Sequence, residues 1–189
     1  MEHARHVFHR KGYLNVTMQD IIDECGISRG GIYLYYASVD EIFQEVIKQR
    51  NKERLSLISK AVQENAPFES VLAEYIALQK KRLLSIENSL FRSYCEYIFS
   101  KPKGTVQAFR DAQLSHLRKS VMSILMLGVN QGVIRYNDIE EIRKLADHII
   151  VVIDGLSVLS LGESHDDQIG ETIDEQFEIL GYMIDRLRV

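Results

Sequence analysis

Apolar positions recur at three- and four-residue intervals along nearly the whole chain, a spacing that predicts helix after helix and no strand. Residues 2–11 read as the end of a helix with Ala4, Val7 and Phe8 on one face, and Gly12 stops it. Thr17 then offers an N-cap, with Asp20 three positions on to close a capping box. Met18, Ile21, Ile22 and Cys25 form the stripe of that short helix, and Gly26 ends it. Ser28 caps a third segment running to Tyr36. Ser38 opens a long fourth one, with Ile42, Phe43, Val46 and Ile47, then Leu57, Ile58 and Ala61, turned inward. Asp40 and Glu41 in its first turn suit the helix dipole.

The pattern continues beyond residue 65. Pro67 begins a helix with Phe68, Val71, Leu72, Tyr75, Ile76 and Leu83 inward, whose Lys80-Lys81-Arg82 run reads as an exposed face. Leu90, Phe91, Tyr94, Cys95 and Ile98 mark another helix, and Lys101-Pro102-Lys103-Gly104 a loop. A long helix is expected from Thr105 to Asn130. Asn137 caps the next, which is apolar nearly all round from Ile149 to Leu161 and is therefore expected to be buried on every side. A polar break over 162–168, including His165-Asp166-Asp167, precedes a last helix from Ile169 to Leu187. The fold class this predicts is all-α.

Composition narrows the function. The two cysteines, Cys25 and Cys95, stand singly on apolar segments, with no CxxC pair and no signal-peptide pattern, which fits a reduced, cytoplasmic compartment. The stretch from Ile149 to Leu161 is broken by Asp154 and Gly155 and falls short of the ~20 residues of a membrane helix, so no membrane partner is expected. No Ser/His/Asp or Cys/His set, carboxylate pair or phosphate-cradling glycine loop stands out, so neither catalysis nor a cofactor is expected. His3, His6 and His9 share a helical spacing but lack a Cys or carboxylate to complete a set, and read as a solvated face and not a metal site. Cys95 reads as a packing residue. The net charge is −4, yet residues 1–55 hold eight Lys/Arg against eight Asp/Glu, so the acidity belongs to the remainder. Any affinity for nucleic acid must come from a few placed contacts.

The informative constellation is the pair of short helices joined by a glycine turn, Thr17–Cys25 and Ser28–Tyr36, followed at once by a long helix: a helix-turn-helix. Ile22, Gly26 and Ile32 fall where such a motif needs a packing residue, a positive-φ turn residue and a core anchor. Arg29, Gly30, Tyr33 and Leu34 or Tyr35 then face outward, toward a major groove.

Phe8-x-x-x-Gly12-Tyr13, Thr17-x-x-x-Ile21, Cys25-Gly26-Ile27-Ser28 and Gly30-x-Ile32-Tyr33-x-Tyr35-Tyr36 together resemble the N-terminal signature of TetR-family transcriptional regulators. The resemblance implies a DNA-binding domain over residues 1–47 and an effector-binding and dimerisation domain over 48–189. It implies that Thr17 and Ser28 present N–H groups and hydroxyls to phosphates, and that Arg29 reaches a guanine edge or a phosphate. Gly30 and Gly31 would allow close approach of the backbone, Tyr33, Leu34 and Tyr35 would complete the DNA contacts, and Tyr36 would be a buried aromatic. Three positions depart from the family pattern: Val39 replaces a phosphate-binding lysine, Gly31 a base-contacting residue, and Ile22 a smaller alanine. The pattern also implies that the first helix and a basic leader begin before Met1.

For the remainder, the resemblance implies a homodimer that binds palindromic operator DNA and a small hydrophobic effector. By position, Phe91, Tyr94, Tyr97, Phe109, Met122, Met126 and Ile153 are candidates for the effector pocket. Ile149, Val152, Leu156, Ile173, Phe177, Leu180 and Ile184 are candidates for the dimer interface. Each pocket candidate fits an ordinary core as well. Two other functions remain open from sequence alone: an all-α small-molecule carrier, and a dimeric interaction module without DNA binding.

Overall fold

A computed structural model describes residues 1–135, 137–162 and 167–189 of the protein. Their helices are α1 (Glu2–Lys11), α2 (Met18–Cys25), α3 (Arg29–Tyr33), α4 (Val39–Gln63), α5 (Phe68–Leu84), α6 (Phe91–Ser100), α7 (Gln107–Asn130), α8 (Ile139–Gly162) and α9 (Asp167–Asp185), with a 3₁₀ turn at Ile86–Asn88. The fold is all-α, as the periodicity predicts. Among the described residues the only strand-like pairing is an isolated bridge between Ile134 and Arg188. His165 and Asp166, expected in a polar loop, lie outside the described residues.

The chain forms two units. The first comprises Met1–Glu53 and Glu87–Gln113, the second Arg54–Ile86 and Leu114–Val189. Residues 87–113, assigned by sequence to the second domain, thus join the first, and an aromatic cluster explains why. Phe8 meets Phe43 edge-on at 4.9 Å between ring centres; Tyr97 meets Tyr13 at 4.9 Å, Phe43 at 5.1 Å and Phe109 at 5.6 Å. Burying such rings is worth about 1.5–3 kcal/mol each, and their edge-to-face contacts add to this. Sequence distance hides the cluster: α1 and α6 also meet through the buried Ser93 hydroxyl, which donates to the Phe8 carbonyl at 2.8 Å. Gln44 donates to the Tyr97 hydroxyl at 2.6 Å.

The second unit is built on an aliphatic core from α5, α7, α8 and α9, with Phe68, Leu83, Ile124, Leu125, Ile142, Ile153, Ile173 and Phe177 buried at its centre. Gly128 of α7 is required there by space: a Cβ at this position would come within 2.8 Å of Ile134 and 2.9 Å of Phe68. The Gln131 side chain closes the same corner, accepting from the Phe68 amide at 2.8 Å and donating to the Ala66 carbonyl at 2.9 Å.

Two local expectations change. Asp138, and not Asn137, caps α8, its carboxylate accepting from the Glu140 amide at 2.9 Å. The burial expected on every side of Ile149–Leu161 occurs on one side only: Ile149, Ile150, Ile153 and Leu156 are buried, whereas Val151, Val158 and Leu159 are 68%, 59% and 53% exposed. With a mean hydropathy of 1.7 over its most apolar window, α8 is long and apolar enough to cross a membrane; in this fold its inner face is core.

Candidate nucleic-acid interface

In the first unit, local chemistry sets the geometry of α2 and α3. Thr17 Oγ1 accepts from the Asp20 amide at 3.2 Å while Asp20 Oδ2 accepts from the Thr17 amide at 2.9 Å, so the capping box is complete in both directions. Lys11 adds an ion pair to Asp20 at 2.6 Å. Hydrogen bonds from Lys11 and Thr17 hold the Asp20 carboxyl down at about 2. Gly26 then turns the chain with φ 63° and ψ 31°, a left-handed conformation that costs a side-chain-bearing residue about 1 kcal/mol or more. Ser28 caps α3, its hydroxyl accepting from the Gly31 amide at 3.0 Å.

Anchors and reading face separate cleanly. Ile21, Ile22 and Ile32 are buried in the first unit's core, and Tyr36 packs against it half-buried with its hydroxyl near the Met1 sulfur. Arg29 and Gly30 are exposed, Gly30 with open space where a side chain would stand. Tyr33 is 44% exposed, and Leu34 and Tyr35 are 81% and 80% exposed. The Arg29 guanidinium lies 5.8 Å from the centre of the Tyr33 ring, so cation and aromatic form one outward element. α3 is shorter than the segment expected to reach Tyr36, but the amides of Tyr35 and Tyr36 both donate to the Ile32 carbonyl at 3.0 Å and continue the turn. The expected contact residues Thr17, Ser28, Arg29, Gly30, Gly31, Tyr33, Leu34 and Tyr35 thus lie on the N-caps of α2 and α3, on α3 and in the turn that follows it, all exposed except the half-buried Gly31. Thr17 has a second commitment, since its N–H and hydroxyl already engage Asp20.

The other candidates divide between the units. Tyr97 and Phe109 are buried in the first unit's core, where Tyr94 packs against Phe109 and Phe91. Met122, Met126 and Ile153 belong to the second unit's core, so the structure does not gather the pocket candidates into one cluster. Of the dimer candidates, Ile149, Leu156, Ile173, Phe177, Leu180 and Ile184 are at most 4% exposed within the single chain, and Val152 is half-buried. The large apolar residues left exposed on α8 and α9 are others: Ile139, Val151, Val158, Leu159, Ile179 and Tyr182. His3, His6 and His9 are exposed, and no group of His, Cys, Asp or Glu among the described residues is arranged to hold a metal.

Sequence reasoning missed one polar group altogether. The Lys80-Lys81-Arg82 run is not a uniform exposed face: Lys81 is exposed and Lys80 pairs with Asp174 at 2.5 Å, but Arg82 turns inward. The signal was present in its spacing from Tyr75 and Gln79, which places all three on one helical face.

Two capped helices at a glycine turn, a buried anchor on each and an uncommitted cationic-aromatic face define a helix-turn-helix DNA-binding protein. Residues 1–46 match the model of the bacterial regulatory proteins of the tetR family. The HTH-type transcriptional regulator YfiR of Bacillus subtilis is 25% identical over 157 residues, spanning 82% of this chain and 75% of that protein. The fold is similar to that of the regulator FadR of Bacillus subtilis, solved with stearoyl-CoA (TM-score 0.71, 19% identity, 95% of this chain and 94% of that one). It is also similar to a regulator from Saccharomonospora viridis solved with choline (TM-score 0.69, 21% identity, 94% and 92%). The chain is thus similar to DNA-binding transcriptional regulators of the tetR family, in its N-terminal helix-turn-helix over residues 1–46 and in its fold.

Proposed function

We propose that this regulator is a homodimeric repressor that binds a palindromic operator through α3 and is released from it by a small, mostly hydrophobic effector held in the second unit. The observation that carries the DNA-binding part is the face of Arg29, Tyr33, Leu34 and Tyr35, which the first unit's core leaves exposed. In a two-fold dimer, two such faces would enter successive major grooves ~34–36 Å apart. The exposed apolar positions Val151, Val158 and Leu159 of α8, with Ile179 and Tyr182 of α9, support dimerisation, because a second copy would cover them as a four-helix bundle. The ligands of FadR and of the Saccharomonospora regulator support effector control. On this reading the protein has no catalytic role and works in the cytoplasm. The effector acts only through its differential affinity for the DNA-binding and released conformations.

The test is fluorescence anisotropy with fragments of the DNA upstream of its own coding sequence, at several salt concentrations. Sequence-selective binding that weakens steeply with salt is the expected result. Absent or salt-independent binding overturns the reading.

A further inference from the structure

Two arginines of the second unit, Arg82 and Arg54, turn toward its core and form no ion pair among the described residues. Arg82 of α5 donates through Nη2 to the Ser157 hydroxyl at 3.0 Å, while its Nε is buried without a hydrogen-bond partner. Arg54 of α4 makes a long contact, Nη2 to the Gln79 side-chain oxygen at 3.4 Å, as its hydrogen bond among the described residues. Among the described residues no ion pair joins either guanidinium to an acid, and the Ser160 hydroxyl is a further buried group without a partner. Asp154 is the acid whose field reaches both, so two positive charges face one negative one. Burial pushes Arg82 down to about 10 and Tyr75 up to about 12, so at neutral pH Arg82 is charged and Tyr75 is not. Burial by its neighbours also raises Asp154, which itself lies exposed on α8.

A guanidinium turned toward a core is costly unless something completes it. Its planar fork suits carboxylate or phosphate oxygens. Apolar residues continue the same helical faces: Ile58 lies one turn beyond Arg54, and Leu72 one turn before Tyr75, both half-buried against the second unit's core.

We propose that Arg82 and Arg54 bind the anionic head group, carboxylate or phosphate, of an amphipathic small molecule, with the adjoining apolar faces receiving its hydrocarbon part. The proposal rests on the second unit being the effector domain, and names the class of effector.

Isothermal titration of the full chain with decanoate, decyl phosphate, 1-decanol and decylamine tests it. At least one of the two anions should bind about tenfold or more tightly than the alcohol and the amine, and whichever of the two binds identifies the head group. Arg82→Gln and Arg54→Gln should each erase that preference and leave decanol binding alone. Unliganded Arg82→Gln should melt no lower than the parent, because glutamine keeps a donor for Ser157 and removes the unmatched charge; a purely structural arginine would lower it. Equal binding of decanol and the anions, no binding of either anion, or a preference that survives both substitutions overturns the proposal. Operator anisotropy run in parallel separates the two readings. Arg82-dependent anion binding without operator release supports the site and counts against effector control. Release by decanol or decylamine alone supports effector control and overturns the site.

Discussion

The Lys101 ammonium lies 2.5 Å from Asp40 Oδ2 and 5.2 Å from the centre of the Tyr13 ring. Tyr13 donates its hydroxyl to the same carboxylate, and Lys101 also sits 5.3 Å from the Tyr97 ring. One lysine, on the loop after α6, thereby ties that loop to the turn before α2 and to the first turn of α4. Lys101→Ala should destabilise the first unit by about 1 kcal/mol, and Lys101→Met by less, because the stem packing survives. Thermal melts followed by circular dichroism check the order; equal melting of all three proteins would remove the clamp.

Arg29→Ala should weaken operator binding by about 1–3 kcal/mol and flatten discrimination at one base position if the guanidinium reads a base edge. If it contacts a phosphate, the loss should be uniform across sequences, with a salt slope shallower by about one. Anisotropy with a set of single-base operator variants distinguishes the two, and an unchanged affinity would remove Arg29 from the interface.

The Asp20 carboxyl titrates at about 2 in the folded chain, below its ordinary value of 3.8. A lowered folded value means that the carboxylate stabilises the fold above its unfolded value, and that this contribution disappears as the pH falls from about 4 to about 2. Asp20→Asn should melt lower than the parent at pH 6 and converge with it near pH 2. A constant gap between the two melting curves would show that the cap is not ionic.

If the exposed apolar face of α8 is covered by a second copy, as proposed above, Val158→Asp should be monomeric in sedimentation equilibrium where the parent is dimeric, and should bind operator more weakly. Leu156→Asp, at a position 3% exposed, should instead unfold the second unit. A Val158→Asp protein that remains dimeric places the interface elsewhere.

What the sequence disclosed follows the range of the physics involved. Thr17, Asp20, Gly26 and Ser28 act over three or four residues, and their roles are readable from spacing alone. Asn137 and Asp138 are both able to cap, and only the folded chain decides between neighbours. The stripe of Ile173, Phe177, Leu180 and Ile184 is apolar enough for a dimer interface, but the same apolarity draws it into its own protomer's core, and periodicity does not distinguish the two destinations. Arg82 was hidden by its basic neighbours, because a charge run suggests solvent while the face assignment of each member depends on helical phase. Phe109 lies 66 residues from Phe43, and no local rule links them.

The return of residues 87–113 to the first unit bears on how such a regulator can be rebuilt. A reader head cut at residue 47 or 53 and fused to a foreign sensor would leave behind Ser93, Tyr97 and Phe109, and with them the far wall of its own interior. A working chimera of this protein must therefore exchange two stretches of chain together, and recombination at a single crossover point should yield heads that are insoluble while carrying every proposed operator contact intact.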